Sequence, residues 1–261
     1  MITAASNSRI KRLVQLNQKP KLRRTEDVFL AEGVKMFLEA PREQLQEVYV
    51  SESFLEKCSC REHLEEVGYE VVSDSVFSKI SDTCTPQGVL CVLKQFHYNI
   101  EEMLRDKAPL FLLLENIQDP GNLGTMLRTG EGAGVSGIIM SRDTVDLYNP
   151  KVIRSTMGSI YRVPFYYADD FAAAVHQVQQ AGVSVYAAHL RGKNSYACQD
   201  YTKGTAFLIG NEGNGLREET AELADCYIRI PMEGKVESLN AAVASSILMY
   251  EAHRQRATIE K

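Results

Sequence analysis

The sequence lacks the features of several protein classes. Its 261 residues contain no apolar run that approaches the roughly 20 residues needed to cross a bilayer. The first residues show no basic stretch followed by an apolar core, so we expect no secretory signal. None of the six cysteines forms a C-x-x-C pair, which disfavours a zinc site. We expect the cysteines to be small, buried apolar residues with free thiols, as in a reducing compartment. We therefore expect a cytoplasmic protein with no membrane segment and no bound metal.

Two nucleotide-binding signatures are also missing. The glycine-rich segment at 119–128 does not end in the lysine and Ser/Thr of the Walker pattern G-x-x-x-x-G-K-[ST]. An early G-x-G-x-x-G with an acid about 20 residues later is absent as well. These absences argue against a P-loop nucleotide site and against a Rossmann oxidoreductase.

Charge is unevenly distributed along the chain. The net charge is −5, but the first 24 residues hold seven cations and no acid, so that the remaining chain carries −12. A localised basic segment can bind phosphate groups although the whole protein is acidic. The alternative interpretation is a solvated, basic first helix.

The alternation of apolar runs predicts two units. Residues 1–93 mix short β-rich runs with helical stretches, residues 94–108 read as a polar linker, and residues 109–261 alternate strands with helices. Such alternation favours an open, mainly parallel α/β sheet with helices on both faces. The predicted strands of the second unit are 110–114, 137–140, 163–165, 183–187, 206–209 and 226–230.

Capping residues and apolar spacing predict the helices. Asn149 followed by Pro150 indicates a helix start, and Ser238 is expected to cap a long final helix that ends near residue 254. The other predicted helices are 8–16, 34–40, 123–133, 170–181 and 216–223.

Three segments of the second unit are rich in glycine, amide and small side chains. The first, 116–129 (NIQDPGNLGTMLRT), lies between a buried strand and a helix, where α/β sheets bind ligands. An arginine at position 128 shares a helix face with Gly121 and Gly124 and could hold a phosphate, but an exposed helix arginine is the alternative. Asn122 stands near the helix start, where capping is its alternative role.

The second and third segments follow later strands. In 207–216 (FLIGNEGNGL) an apolar run stops in a G-x-x-G-x-G turn that contains one acid, Glu212, which could contact a cation or orient a hydroxyl. The third comprises 228–232 (IRIPM), where proline ends the strand, and 238–243 (SLNAAV). Each segment alone is compatible with an ordinary turn or a capped helix.

Together, in this order and spacing, the three segments resemble the motifs of the SpoU/TrmH family of RNA ribose 2′-O-methyltransferases (SPOUT superfamily). The resemblance implies a C-terminal, trefoil-knotted α/β methyltransferase domain at 109–261. Looser matches at 8–13 (SRIKRL), 29–33 (FLAEG) and 85–88 (TPQG) resemble the family's N-terminal RNA substrate-binding domain, which is similar to small ribosomal proteins. This smaller α/β domain would be residues 1–93.

The resemblance implies an S-adenosylmethionine (SAM)-dependent enzyme that methylates a ribose 2′-hydroxyl of ribosomal RNA or, second, transfer RNA. It implies a homodimer, and no metal is needed because the transfer itself neutralises the sulfonium. A non-catalytic RNA-binding protein on the same scaffold is the alternative. The residues expected to act are, for catalysis, Arg128, Asn122 and Glu212; for SAM, Gly210, Asn211, Ile230, Met232, Ser238, Leu239 and Asn240; and for RNA, Arg9, Lys11, Arg12, Lys21, Arg23 and Arg24.

The family often casts the arginine as a base, but guanidinium groups stay charged at neutral pH. We therefore expect Arg128 to clamp a phosphate and to stabilise the developing alkoxide.

Overall fold

The computed structural model describes residues 1–257, so the last four residues of the predicted second domain lie outside the described residues. Eleven strands occur in the described chain: β1 Val28–Glu32, β2 Leu45–Ser51, β3 Glu70–Val72, β4 Val89–Lys94, β5 Leu110–Leu114, β6 Gly137–Ser141, β7 Phe165–Ala168, β8 Ser184–Ala188, β9 Asn194–Ser195, β10 Thr205–Ile209 and β11 Cys226–Arg229.

The same residues contain twelve α-helices, and single 3₁₀ turns lie at Ser159–Tyr161 and Tyr196–Cys198. The α-helices are α1 Ser8–Gln18, α2 Pro20–Glu26, α3 Val34–Leu38, α4 Glu52–Lys57, α5 Arg61–Val67, α6 Asp74–Ile80, α7 Ile100–Met103, α8 Pro120–Ala133, α9 Pro150–Thr156, α10 Phe171–Gln180, α11 Glu218–Ala221 and α12 Ala241–Ala257.

The chain forms two compact units, and one of them is discontinuous. The N-terminal unit comprises residues 1–96 and 146–161, and the C-terminal unit comprises residues 97–145 and the chain from residue 162. The sequence prediction assigned 146–161 to the second domain, because nothing local in that segment indicates a distant packing partner. The structure groups it with the first unit, where α9 packs on β1.

The N-terminal unit is built on a four-stranded sheet in the order β1-β4-β2-β3. Strand β4 is antiparallel to β1 and β2, whereas β2 and β3 are parallel. Helix α1 buries Ile10, Leu13 and Leu16, whose spacing of three residues places them on one helix face. This face joins a core that includes Leu30 of β1 and Phe77 of α6.

The C-terminal unit is an open sheet of seven parallel strands in the order β7-β6-β5-β10-β8-β11-β9. Both central strands, β5 and β10, are buried along their whole length. Helix α10 packs with Phe111 and Leu113, and α12 contacts β5 and β10 as well as α8. The prediction of a parallel α/β sheet is confirmed. The trefoil knot concerns the threading of the chain, which strand order alone does not establish, and it stays a prediction.

Several predicted boundaries were wrong, for local reasons. Helix α8 begins at Pro120 rather than at residue 123, because the Asp119 side chain caps it by accepting from the Asn122 amide. Helix α12 begins at Ala241, and its cap is Asn240, whose side chain accepts from the amides of residues 242 and 243. Ser238 is therefore not the cap. The strand predicted at 163–165 lies at Phe165–Ala168, and α11 is shorter than predicted.

Candidate active site

Three loops at one edge of the seven-stranded sheet carry the residues that the sequence singled out. They follow β5 (residues 115–119), β10 (210–217) and β11 (230–240). Because all strands are parallel, their carboxyl ends lie along the same edge, and β5 and β10 are direct neighbours. The first two loops therefore meet in space although about 90 residues separate them in the sequence.

Glu212 connects the first two loops. Its carboxylate accepts hydrogen bonds from the backbone amides of Gln118 and Asp119, both 3.1 Å, and from Asn122 Nδ2 at 2.9 Å. Partial burial alone would raise the pKa of Glu212, but the donation from Asn122 and the backbone amides outweighs it and holds the pKa below its usual value. Three donors thus favour the ionised form of Glu212, which makes it poorly suited to take a proton.

Asn122 extends this connection to the third loop. Its Oδ1 accepts from Asn240 Nδ2 at 3.0 Å, while Asn240 Oδ1 caps α12. One chain of hydrogen bonds, Glu212–Asn122–Asn240, thus joins all three segments. The structure brings these three predicted residues together and gives Asn122 a role other than helix capping.

Arg128 stands apart from this chain. It lies on α8, is exposed, and its side chain makes no hydrogen bond or ion pair with any residue from 1 to 257. A free guanidinium on the helix that carries Asn122 is available to an anionic ligand.

The 210–216 turn is closed on itself. Asn211 and Gly215 exchange backbone hydrogen bonds, and Asn211 Oδ1 accepts from the amides of Gly213 and Asn214. Asn211 Nδ2 also donates to the carbonyl of Asn116, which follows β5 in the left-handed region (φ 54°). A Cβ at Gly210 would lie 2.2 Å from the backbone of Gly215. The turn itself therefore requires glycine at position 210.

Residues 230–239 form an open segment. No backbone or side-chain hydrogen bond engages them within the described part of the chain, and most are exposed. Ile230, Met232 and Leu239 are half-buried, whereas Ser238 is exposed. Unused backbone donors and acceptors beside half-buried apolar side chains fit an adenosyl group, which offers a flat apolar ring with polar edges.

Sequence reasoning missed a second network behind the turn. Glu115 is 1% exposed and accepts from the amide of Arg217 at 2.8 Å and from Thr220 Oγ1 at 2.5 Å. The Arg217 guanidinium also pairs with Asp143, in the loop after β6. An acid directly after an apolar strand was the signal that could have identified Glu115.

The cations of the basic N-terminal segment fall into two groups, one paired with acids or buried and one exposed. Arg9 pairs with Glu70, and Arg12 pairs with Glu26 and Glu47. Arg23 is 1% exposed and donates to the carbonyls that end α1 and to Asp146. The expectation that Arg23 contacts RNA is therefore wrong, because its guanidinium is enclosed by its own unit.

The side chains that remain open in this segment are lysines and one arginine. They make no hydrogen bond or ion pair within residues 1–257 and are exposed: Lys11, Lys19, Lys21 and Arg24. Lys19 was not among the expected RNA contacts, although its position in the segment was known.

The described residues offer neither a metal cluster nor a membrane-spanning helix. Among residues 1–257, no three or more His, Cys, Asp or Glu side chains are grouped so that they could hold a metal ion. None of the helices described is long and apolar enough to cross a membrane. All six cysteines are free, and Cys91 is buried.

The sequence matches two families of known domains. Residues 109–250 match the SpoU rRNA Methylase family, and residues 7–91 match the MRM3-like substrate binding domain. Among the most similar curated proteins is the 23S rRNA (guanosine(2553)-2′-O)-methyltransferase RlmP of Bacillus subtilis (strain 168). It is 32% identical over 252 residues, which cover 95% of this chain and 97% of RlmP.

Solved structures agree with this match over almost the whole chain. The AdoMet-bound rRNA methyltransferase from Sinorhizobium meliloti has a TM-score of 0.84 and 32% identity, and 97% of each chain is covered. The SpoU methyltransferase AviRb from Streptomyces viridochromogenes, in complex with AdoMet, has a TM-score of 0.87 and 26% identity, and covers 97% of this chain and 99% of its own. The expected resemblance is confirmed: this chain belongs to the SpoU methyltransferase family.

Proposed function

We propose that this protein transfers the methyl group of SAM to a ribose 2′-hydroxyl of ribosomal RNA. Its family and the names of its relatives support the reaction class, and RlmP supports large-subunit rRNA as the first substrate to test. Transfer RNA is the second candidate. The observation that carries the proposal is the hydrogen-bonded chain Glu212–Asn122–Asn240, because it assembles the three family segments at one edge of the sheet.

The cofactor would be held by the turn after β10 and the segment after β11. The closed turn presents a fixed backbone surface, and residues 230–239 offer backbone groups that the protein leaves unused. When bound, SAM supplies an electrophilic methyl group on a sulfonium. The residues proposed to line its site are Gly210, Asn211, Ile230, Met232, Ser238, Leu239 and Asn240.

The protein's own part in the reaction is to position a hydroxyl and to stabilise the charge that develops on it. Arg128 is proposed to clamp an RNA phosphate and to stabilise the alkoxide. Asn122 is held in one orientation by its two partners, so that it can fix the reacting ribose. Glu212, which the sequence grouped with the catalytic residues, is proposed to act as a positioning residue, because its carboxylate is already engaged.

RNA affinity is proposed to come from the open cations of α1 and α2. Lys11, Lys21 and Arg24 keep their expected role, Lys19 joins them, and Arg9 and Arg12 become structural because acids pair with them. Arg9 and Arg12 are left out of the proposed RNA contacts because acids of the N-terminal unit already neutralise their charge.

The protein is further proposed to act in the cytoplasm as a homodimer. Val243 and Tyr250 lie seven residues apart on α12, two helical turns, and are 48% and 49% exposed. A second copy would cover this apolar face. Light scattering should give twice the chain mass, and a Val243→Glu, Tyr250→Glu variant should give a monomer; a wild-type monomer with full activity would contradict the dimer.

One binding experiment separates the enzyme from a non-catalytic RNA-binding protein on the same scaffold. Calorimetry of the full chain with SAM in the presence of EDTA should show binding, and a matched titration with rRNA should show that the RNA also binds. RNA binding without any SAM binding would favour the non-catalytic protein and overturn the proposal.

A further inference from the structure

The buried acid Glu115 has no part in the reaction described above, yet it lies directly behind the active-site turn. All of its side-chain donors come from the segment that follows this turn: the Arg217 amide, the Thr220 hydroxyl and, at 3.5 Å, Arg217 Nη1. Its own amide donates to the carbonyl of Ile209, the last residue of β10. Glu115 therefore contacts the 210–217 loop at both of its ends.

Arg217 carries this contact into a closed ring of interactions. Its guanidinium pairs with Asp143, and Asp143 accepts from Ser141 Oγ at 2.5 Å. Ser141 Oγ in turn accepts from the amide of Asn116 at 2.9 Å. The Asn116 carbonyl accepts from Asn211, which returns the ring to the start of the turn.

The hydrogen bonds and the ion pair of this ring favour the ionised form of Asp143. Partial burial would raise the pKa of Asp143, but the hydrogen bond from Ser141 and the pairing with Arg217 lower it overall. A buried carboxylate such as Glu115 is costly unless it is hydrogen-bonded and paired, and apolar residues of similar size often stabilise a core better. The side-chain donors of Glu115 are Arg217 and Thr220, which directly follow the active-site turn. A contribution to stability alone does not explain why a buried carboxylate lies at this position.

We propose that Glu115 is a positioning residue, which acts through Arg217 and Thr220 to hold the 210–217 loop in the conformation that binds SAM. This role rests on the proposed function. At its C-terminal end the loop is tied to the rest of the unit through Arg217, because Gly215 bonds within the turn, to Asn211, and Leu216 is buried among apolar side chains. Without the carboxylate, the turn could still close on itself and stay tied to the loop after β5 through Asn211 and Glu212, but its end at residues 216–217 would lose the anchor that Glu115 provides.

The test compares two substitutions that remove the same charge at adjacent parts of the molecule. Glu115→Gln keeps the size of the side chain but places an amide donor against donors. Glu218→Gln is the control, since Glu218 lies one residue beyond Arg217 and makes only an exposed pair with Arg191. Hydrogen exchange of the 210–217 amides without SAM, and SAM affinity by calorimetry, are measured for both variants in the full chain.

Glu115→Gln should accelerate exchange in 210–217 by about 10-fold or more and weaken SAM binding to a similar degree, the scale of losing a hydrogen bond to a charged group. RNA affinity and turnover at saturating SAM should change little, and Glu218→Gln should resemble wild type. Unchanged exchange in this loop, or acceleration spread evenly over the C-terminal unit, would overturn the positioning role.

Two further results keep the inference separate from the proposed function. If Glu115→Gln does not fold, Thr220→Val removes a single donor and should show the same local acceleration on a smaller scale; its absence would contradict the proposal. If wild-type protein does not bind SAM at all, the proposed function fails, whereas the exchange measurements still decide whether Glu115 holds the loop.

Discussion

Polar side chains at the sheet edge differ in whether they are hydrogen-bonded to other residues of the protein. The Glu212 carboxylate accepts three hydrogen bonds, and Asn122 is held between Glu212 and Asn240. The Arg128 side chain, by contrast, makes no hydrogen bond or ion pair with residues 1–257. Arg128 therefore differs from Glu212 and Asn122, whose side chains are already hydrogen-bonded within the C-terminal unit.

Arg128 should therefore matter for turnover and not for cofactor binding. Arg128→Ala should keep SAM affinity, while methyl transfer falls by about 10² or more, the scale of losing one preorganised donor to an oxyanion. Arg128→Lys should also be poor, because a point charge cannot replace a bidentate fork. Near-normal single-turnover rates for the lysine variant would refute the clamp geometry, and near-normal rates for alanine would remove Arg128 from the site.

Two glycines of the same turn should respond very differently to alanine. A Cβ at Gly210 would lie 2.2 Å from Gly215 backbone, whereas a Cβ at Gly213 would meet only Asn211 Oδ1 at 3.6 Å. Gly210→Ala should weaken SAM binding by about 10-fold or more through overpacking, and Gly213→Ala should change it little. Equal affinities for the two variants in calorimetry would show that the closed turn does not form the cofactor site.

Glu212 makes the stability of the C-terminal unit depend on pH. Because its pKa is lower in the folded than in the unfolded protein, its contribution is complete above the unfolded value near 4.5 and is lost as the pH falls through the folded value. Denaturant unfolding from pH 6 to pH 3 should show wild type losing its advantage over Glu212→Gln in the acidic range. A constant difference between the two proteins over this range would contradict the ionised, engaged carboxylate.

At the scale of elements, the pattern of apolar residues predicted those strands and helices that depend on nearby residues in the sequence. The continuous apolar run 110–114 became the fully buried β5, and the helix predicted over 8–16 became α1 at Ser8–Gln18. The short charged helices α4 and α5 were missed, because each has too few apolar positions to show a period. The placement of 146–161 in the N-terminal unit depends on contacts with residues distant in the sequence, and a local sequence pattern does not predict such contacts.

The same limit applies to the site. The resemblance to the family's motifs placed Asn122, Glu212 and Asn240 in one site, and the 116–129 segment was also expected there because α/β sheets bind ligands at strand ends. Which side chains pair with one another could not be predicted, so Glu212 was given a catalytic role and Arg23 was assigned to RNA. The Asn122 partner of Glu212 and the Asp146 partner of Arg23 lie 90 or more residues away in the sequence.

The basic helices α1 and α2 allow a matched test of RNA binding. Replacing the open cations Lys11, Lys19, Lys21 and Arg24 by glutamine should weaken rRNA binding and flatten the plot of log affinity against log salt by about 3, since each phosphate contact contributes roughly 0.7 to 0.9. SAM affinity should stay unchanged.

The control for that experiment is the pair of cations that acids already neutralise. Arg9→Gln with Arg12→Gln should leave the salt dependence near that of wild type, because Glu70, Glu26 and Glu47 occupy these side chains. A larger loss of slope in this control than in the four-residue variant would reverse the assignment.

At the scale of the whole molecule, the interrupted N-terminal unit affects how domains can be tested. A deletion of residues 1–93 would remove the partners of α9 and leave its buried side chains Val152 and Ile153 uncovered. Point substitutions in the full chain are therefore better tests of domain roles than truncation.

The proposed function is the methylation of an rRNA ribose at the site that the chain Glu212–Asn122–Asn240 holds together. The most direct measurement maps 2′-O-methylation of rRNA from cells lacking the gene, after incubation with SAM and either wild type, Asn122→Ala or Asn240→Ser. The serine hydroxyl can still cap α12, but the shorter side chain lacks the Nδ2 group that donates to Asn122 in the wild type. The account predicts a ribose methyl group that appears with wild type and is strongly reduced in both variants; methylation of a base, no methylation by wild type, or full activity of both variants would contradict it.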